Sequence, residues 1–182
     1  MSGNEEFWRK YHQENDKPYE FTQNIRKVAS ELEIESALEI GCGFGQNLAA
    51  LNPSIRKVGI DISEYVINIS KQRYPNIRFL NGSVLKIPLQ EKFDLVFSCA
   101  VIQHIKPQLL NQAFDEMFRV SKKYILNIEA YDEIEREINW YRGSDESWTI
   151  HMAERWKKFP VKILKDYNVH KEYRLTLSSV VE

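Results

Sequence analysis

Short apolar runs alternate with segments of helical periodicity along most of the chain. Five of the runs are typical of buried strands: SALEIG, RKVGID, IRFLNGS, KFDLVFSCAV and KYILNIEA. Between them, QNLAAL, EYVINISKQR and a segment that begins at Pro107 are typical of helices. Strands that alternate with helices predict right-handed crossovers and a parallel sheet with helices on both faces.

The two ends of the chain depart from this alternation. Apolar residues at helical spacing predict an amphipathic helix over residues 20–33. Residues 131–147 are irregular, polar and aromatic, and a short helix is expected near 149–157. The last two runs, VKILKDYNV and YRLTLSSVV, have no helix between them and predict an antiparallel hairpin. We therefore expect a Rossmann-like α/β fold with a seven-stranded mixed sheet, helices on both faces and an antiparallel last strand.

Composition excludes several classes of protein. The 182 residues suit one domain, and 25 Lys and Arg against 26 Asp and Glu give no basic surface for nucleic acid. Neither cysteine has the spacing of a disulfide framework or a metal site, so we expect no metal and a reducing, cytoplasmic location. The polar start is unlike a signal peptide, and no apolar run is long enough to cross a membrane.

The stretch LEIGCGFGQNL, residues 38–48, has glycine at every second position after a strand. A dinucleotide fingerprint requires a third glycine at position 46, where this chain has Gln46, and the Gly-Lys-Ser/Thr of a phosphate loop is absent. Asp61 closes the second strand twenty positions after Gly41, where a carboxylate can accept both hydroxyls of a ribose. No basic residue lies at positions 39–50, which indicates a nucleoside without phosphates.

Four signals in register, LEIGCGFG, GIDIS, NGSVLKIP and FDLVFSCAVIQHI, resemble class I S-adenosylmethionine-dependent methyltransferases. The resemblance covers about residues 36–130 and implies the class I methyltransferase fold, with S-adenosylmethionine as the cofactor. It implies three parts of one domain: a helical cap over residues 1–35, a cofactor core over 36–130, and a substrate-side insertion with the hairpin over 131–182.

The resemblance also implies which residues meet the cofactor. Glu39 is expected near the amino-acid end, Asp61 on the ribose diol, and Ile62 on the adenine face. Many relatives have aspartate where this chain has Ser83. The full expected set is Glu39, Gly41, Cys42, Gly43, Asn47, Asp61, Ile62, Ser83, Val84, Cys99 and Ala100. The two cysteines are expected to be small buried residues rather than nucleophiles.

On the acceptor side, His104 in VIQHI is the candidate general base, with a structural or cofactor-orienting role as the favoured alternative. Tyr131 and Arg142 are the candidate substrate-binding residues, and Glu129 is a further polar group able to face the pocket. Arg142 suits bidentate contact with a carboxylate or phosphate, and a surface position is the alternative.

A narrower resemblance links the region from residue 93 onward, with Tyr-Arg-Gly at 141–143, to methyltransferases associated with pseudaminic acid and other surface sugars. It implies a small sugar or nucleotide-linked sugar as methyl acceptor, at oxygen or nitrogen. A nucleic-acid or protein methyltransferase and a non-catalytic S-adenosylmethionine-binding protein are the alternatives, and an NAD-linked oxidoreductase is disfavoured by Gln46. The open pocket leaves room for completion by a second subunit.

Overall fold

The computed structural model describes residues 3–14, 20–139 and 146–181. Seven strands form one sheet in the spatial order β3-β2-β1-β4-β5-β9-β8. Their bounds are β1 Ser36–Ile40, β2 Arg56–Asp61, β3 Arg78–Asn81, β4 Phe93–Cys99, β5 Ser121–Ala130, β8 Val161–His170 and β9 Tyr173–Val180. β6 Glu137–Asn139 and β7 Glu146–Trp148 form a separate antiparallel pair.

Six helices connect or flank these strands among the described residues. They are α1 Gly3–Glu14, α2 Thr22–Ser30, α3 Gln46–Ala50, α4 Glu64–Arg73, α5 Leu110–Arg119 and α6 Met152–Trp156. Ser63 caps α4, because its side-chain oxygen accepts a hydrogen bond from the Val66 N–H at 3.4 Å. Within these ranges, no helix has the length and apolar character required to cross a bilayer.

The central strands are buried on both faces, as a sheet covered by helices on two sides requires. Ala37 of β1 packs in the cluster that contains α2, whereas Leu38 and Ile40 pack in the cluster that contains α5 and α6. This alternation follows from the two-residue period of a strand. Strands β1 to β5 run parallel to one another, so their carboxyl ends all lie at one edge of the sheet.

The seven-stranded mixed sheet and the antiparallel terminal hairpin are confirmed, since β9 runs antiparallel to both β5 and β8. The predicted helix at Pro107 is displaced: residues 107–109 form a 3₁₀ turn, and α5 begins at Leu110. The prediction of an irregular segment over 131–147 was wrong in part, because β6 and β7 pair there. Those strands are only three residues each, too short for a periodic signal.

Candidate functional site

A cleft with about 660 Å³ of empty space, part of it open to solvent, lies at the carboxyl ends of β1, β2 and β4. Ligands bind at this edge in open α/β sheets. The residues that line the cleft are Trp8, His12, Ile40, Gly41, Asp61, Ile62, Gly82, Ser83, Val84, Ala100, Val101, His104 and Ile105. The predicted Gly41, Asp61, Ile62, Ser83, Val84, Ala100 and His104 are thus brought together.

The glycine loop that follows β1 has positive φ at Gly41 and Gly43, and a side chain at Gly41 would clash with its neighbour. Gly41 has φ +65°, and a Cβ atom there would lie 2.4 Å from Cγ2 of Val101. Gly43 has φ +50°, and its Cβ would meet Cε1 of His12 at 3.4 Å. Both steric space and backbone conformation therefore require glycine at position 41.

Asp61 ties the glycine loop to the start of α4. Its Oδ2 accepts a hydrogen bond from the Gly43 N–H at 3.0 Å, and its Oδ1 accepts one from the Ser63 N–H at 2.9 Å. A carboxylate oxygen has a second lone pair. The side chain is therefore held rigidly and retains capacity to accept hydrogen bonds from a ligand that enters the cleft.

Glu39 lies beneath the loop and does not line the cleft. Its Oε1 accepts a hydrogen bond from Asn47 Nδ2 at 2.7 Å, and Asn47 Oδ1 accepts one from the Thr22 hydroxyl. Its Oε2 is buried and has no hydrogen-bond partner within the described ranges. Burial raises the pKa of Glu39 well above its ordinary value.

Neither cysteine reaches the cleft. Cys42 and Cys99 both pack in the hydrophobic cluster on the α2 side of the sheet. Burial raises the pKa of each thiol, so both are protonated and inert at neutral pH. The expectation that they are small apolar residues is consistent with this placement.

A buried carboxylate organises the other half of the cleft, where β4 and β5 end. Glu129 Oε1 accepts a hydrogen bond from the Ser98 hydroxyl at 2.7 Å, and Oε2 accepts bonds from the N–H groups of Val101 and Gln103 at 2.9 and 3.3 Å. These contacts hold a turn in which Ala100 has φ +56°. Such strain in a non-glycine residue persists only where surrounding contacts impose it.

Glu129 therefore faces the protein backbone and not the pocket, contrary to the role considered from the sequence. Burial raises its pKa from the ordinary 4.5 to about 7, although hydrogen bonds from the Ser98 hydroxyl and from three backbone N–H groups oppose the shift. The carboxylate of Glu129 therefore holds the turn after β4, and that turn lines the cleft.

His104 follows in the same turn and lines the cleft. Its Nδ1 lies 2.8 Å from the Ser147 hydroxyl, and its Nε2 lies 3.3 Å from Nε2 of Gln103. Burial lowers the pKa of His104 to about 4, so the ring is neutral at physiological pH. A base with so low a pKa accepts a proton poorly near pH 7.

Helix α1 covers the cleft. The Trp8 indole contacts His104 edge to face at a centroid distance of 4.8 Å, and His12 contacts Phe44 of the glycine loop at 5.3 Å. The guanidinium of Arg73 stacks on the same Phe44 ring at 4.5 Å. The helix therefore spans the two halves of the cleft, with Trp8 on the β4 side and His12 on the glycine loop.

Tyr131 lies in a second cleft beyond β5, with Asp132, Arg136, Lys171 and other residues of the β6 and hairpin regions. The Arg174 guanidinium stacks on its ring at 4.6 Å. The structure does not bring Tyr131 to the lining of the first cleft. Arg142 lies outside the described residues. Across the residues that are described, no group of three or more His, Cys, Asp or Glu side chains is arranged to hold a metal.

Residues 37–124, which carry the glycine loop, Asp61 and the β4 turn, match the family described as methyltransferase domain. This part of the chain is similar to methyltransferase domains and is called the methyltransferase domain below. Its sheet order, with one antiparallel strand, is that of the class I enzymes, which use S-adenosylmethionine.

Two relatives show how much of the chain the sequence similarity covers. A probable S-adenosylmethionine-dependent methyltransferase of Mycolicibacterium smegmatis is 31% identical over 98 residues, which are 52% of this chain and 37% of that protein. An uncharacterized methyltransferase of Alkaliphilus oremlandii is 27% identical over 127 residues, 66% of this chain and 59% of its own length. The chain thus matches less than two thirds of the length of these relatives.

The whole architecture recurs in a solved structure. The N-methyltransferase NodS of Bradyrhizobium japonicum WM9, in complex with S-adenosylhomocysteine, superposes with a TM-score of 0.80 over 100% of both chains at 16% identity. This likeness extends the methyltransferase fold to α1 and to the terminal hairpin. The resemblance to surface-sugar methyltransferases is not borne out by these comparisons.

Sequence reasoning missed several residues of the methyltransferase cleft. Trp8 belongs to an aromatic-rich start that is more often simple packing than a cover for a ligand, and His12 beside it carries no motif. Gly82, Val101 and Ile105 directly follow or precede predicted residues, so neighbouring positions were the only available signal. The support from Gln103 and Ser147 depends on contacts that no local pattern contains.

Proposed function

We propose that this chain is an S-adenosylmethionine-dependent methyltransferase that transfers a methyl group to oxygen or nitrogen of a small molecule. The observation that carries the proposal is the convergence of Gly41, Asp61, Ser83 and Ala100 on one cleft at the strand ends of a methyltransferase domain. This arrangement suits a nucleoside with a methyl-bearing tail better than a dinucleotide.

The residues present fit this cofactor. Asp61, fixed by two backbone N–H groups, would accept the ribose hydroxyls, and Ile62 would pack on the adenine. Ser83 and Val84 would border the adenine edge, where a serine hydroxyl can accept from the amino group. The part of the cleft lined by Gly41 would admit the methionine portion, since glycine adds no side chain there. We assign Gly43, Asn47, Cys42 and Cys99 to the support of these surfaces and not to contact with the cofactor.

Glu39 adds a feature of its own. Its buried Oε2 has no partner among the described groups, and an unsatisfied buried carboxylate oxygen costs free energy. A donor from the amino-acid end of the cofactor, directly or through water, would satisfy it. The Asn47 and Thr22 contacts would hold the carboxylate in place for that purpose.

Bound S-adenosylmethionine supplies a methyl group on a sulfonium, which a nucleophile displaces in line. The chain has to position the acceptor and exclude water, and such positioning supplies much of the rate. Val101, Ala100 and His104 form the wall at the end of β4, and Trp8 closes it from above. We assign His104 an orienting role, because its pKa of about 4 makes it a weak base.

For the acceptor we propose a small polar molecule, with a sugar or nucleotide-linked sugar as the first candidate. Support comes from the second cleft, which is lined by Tyr131 and by the cationic side chains Arg136 and Lys171. Arg142 stays a candidate substrate-binding residue. A second subunit that completes this side and a cytoplasmic location also stay predictions.

The test is transfer of labelled methyl from S-adenosylmethionine to a panel of nucleotide-linked sugars and small amines. We expect label in at least one acceptor, and less label with the Asp61→Ala variant when S-adenosylmethionine is kept below saturation. Cofactor binding without transfer to any acceptor, in the presence or absence of a cell extract of small molecules, would favour the non-catalytic binding protein instead.

A further inference from the structure

The side-chain amide of Gln103 lies completely buried between the two clefts and is oriented without ambiguity. Its Oε1 accepts a hydrogen bond from the Ala130 N–H at 2.9 Å, and a backbone N–H can only donate. The NH₂ group must therefore lie on the other side. There it is 3.3 Å from Nε2 of His104 and 3.4 Å from the Tyr173 hydroxyl.

This orientation determines the tautomer of His104. Because Gln103 presents a donor, Nε2 of His104 has to be the unprotonated acceptor, and the ring proton is on Nδ1. There the Ser147 hydroxyl lies 2.8 Å away, and the carbonyl of Glu146 also accepts. Protonation of Nε2 would set two donors against each other, which explains in geometric terms why the ring resists a positive charge.

We propose that Gln103 is a positioning residue that holds the His104 ring neutral and bound at both nitrogens, so that the ring is a fixed wall of the acceptor site and not a base. The proposal rests on the proposed function for the identity of the site. It bears on the acceptor, since an alcohol needs a base to remove its proton, whereas an amine nitrogen with a free lone pair does not. The site accordingly suits a nitrogen acceptor.

The charged groups around His104 do not oppose this assignment. Glu129 binds the backbone of the same turn and not the ring. On β7, the Glu146 carboxylate pairs with Lys106 at 2.8 Å, so only its carbonyl engages the ring. From α1 the Trp8 indole contacts the ring, with His12 beyond it, and from β9 Tyr173 acts through Gln103.

Nitrogen NMR of histidine-labelled protein in complex with S-adenosylhomocysteine tests the proposal without an acceptor. A His104→Asn variant assigns the signal. We expect the wild-type ring to be protonated at Nδ1 only, and to stay neutral between pH 6 and 8. A ring protonated at Nε2, or an equal mixture of the two tautomers, would overturn the proposal whatever the Gln103 variant shows.

The Gln103→Glu variant is the second test. A carboxylate at position 103 can still accept a hydrogen bond from the Ala130 N–H, and it would accept one from His104 Nε2 instead of donating one. We expect the ring to take a proton on Nε2 and its titration to move up by at least one pH unit. Gln112→Glu on the exposed face of α5 is the matched control and should leave His104 unchanged. An unchanged ring in Gln103→Glu would remove the role of Gln103. Calorimetry with S-adenosylhomocysteine on the same samples reports separately on the cofactor site.

Discussion

The two halves of the cleft are built in opposite ways. At the ends of β1 and β2, glycines and one carboxylate leave backbone and lone pairs available, and within the described ranges Oε2 of Glu39 has no hydrogen-bond partner. At the ends of β4 and β5, Glu129 and Gln103 use their polar atoms on the protein itself. The first half can therefore still accept hydrogen bonds from a ligand, whereas Glu129 and Gln103 in the second half already make their hydrogen bonds within the protein.

The difference indicates that the two halves of the cleft have different roles. A site for a constant cofactor needs the same few contacts in every member of a family, so short local motifs can supply them. A wall against a variable acceptor needs rigidity more than exposed polar groups, and a buried polar network supplies rigidity when all its members are satisfied. The experiments below separate these two roles, in order of expected effect.

Gly41→Ala is expected to be the most damaging change on the cofactor side. The Cβ would lie 2.4 Å from Val101 in a backbone conformation that L-residues avoid, and together these cost about 3 kcal/mol or more. Calorimetry should show S-adenosylhomocysteine affinity reduced by about 100-fold or more. Gly43→Ala is the matched control, with a loss of about tenfold, because its Cβ meets only His12 at 3.4 Å. Equal losses would show that the clash with Val101 does not matter.

The Glu129→Gln variant tests the half of the cleft at the ends of β4 and β5. Its expected effect is on the free energy of unfolding and not on cofactor affinity. The pKa of Glu129 is raised to about 7 in the folded protein, so ionisation is costlier there than in the unfolded chain. The free energy of unfolding should therefore fall by about 3 kcal/mol from this group as pH rises from 4.5 to 7. The variant should lose that component, as measured by urea denaturation across pH.

Glu116→Gln is the control of opposite sign. The pKa of Glu116 is lowered, chiefly by its hydrogen bond to Arg119, so this group adds stability above pH 4.5 that is lost on acidification. If the two variants changed the pH profile in the same direction, the assignment of Glu129 as a buried carboxyl would be wrong.

Asp61→Ala should weaken S-adenosylhomocysteine binding by about 1 to 3 kcal/mol, the cost of hydrogen bonds lost from a charged group. Asp61→Asn should not restore it, because an amide NH₂ would face the N–H of Gly43 or Ser63. Asn81→Ala is the control, since the Asn81 side chain donates to the carbonyls of Asp61 and Ile62 and not to the Asp61 carboxylate. Full affinity in a folded Asp61→Ala protein would contradict the ribose assignment.

Trp8→Ala should have the smallest effect on cofactor affinity, about 1 kcal/mol, because it removes the aromatic contact with the cleft residue His104 and part of the cover. Phe7→Ala, which lies on the same helix but does not line the cleft, should leave the affinity unchanged. If both substitutions acted equally on calorimetric affinity, α1 would contribute only through its stability.

The parts of the molecule that the sequence predicts well are those with local causes. The strands around the glycine loop and the antiparallel hairpin follow from short patterns, and so does the position of Asp61 at the end of β2. Their physical reasons, burial and turn geometry, act between near neighbours in the chain.

The rest depends on contacts between distant segments. Trp8 meets His104, Ser147 meets the same ring across 43 positions, and Gln103 meets Tyr173 across 70. No periodicity encodes which buried polar group will find which partner. Glu129 shows the consequence, since its position after a strand suggested a pocket residue and its partners place it beneath the wall.

Isothermal titration of the protein with S-adenosylmethionine, S-adenosylhomocysteine and NAD tests the central claim most directly. We predict that the two sulfur nucleosides bind with one site per chain and that NAD does not bind. The Asp61→Ala variant should bind both sulfur nucleosides with lower affinity. Binding of NAD in place of the sulfur nucleosides, or binding that Asp61→Ala leaves untouched, would contradict it.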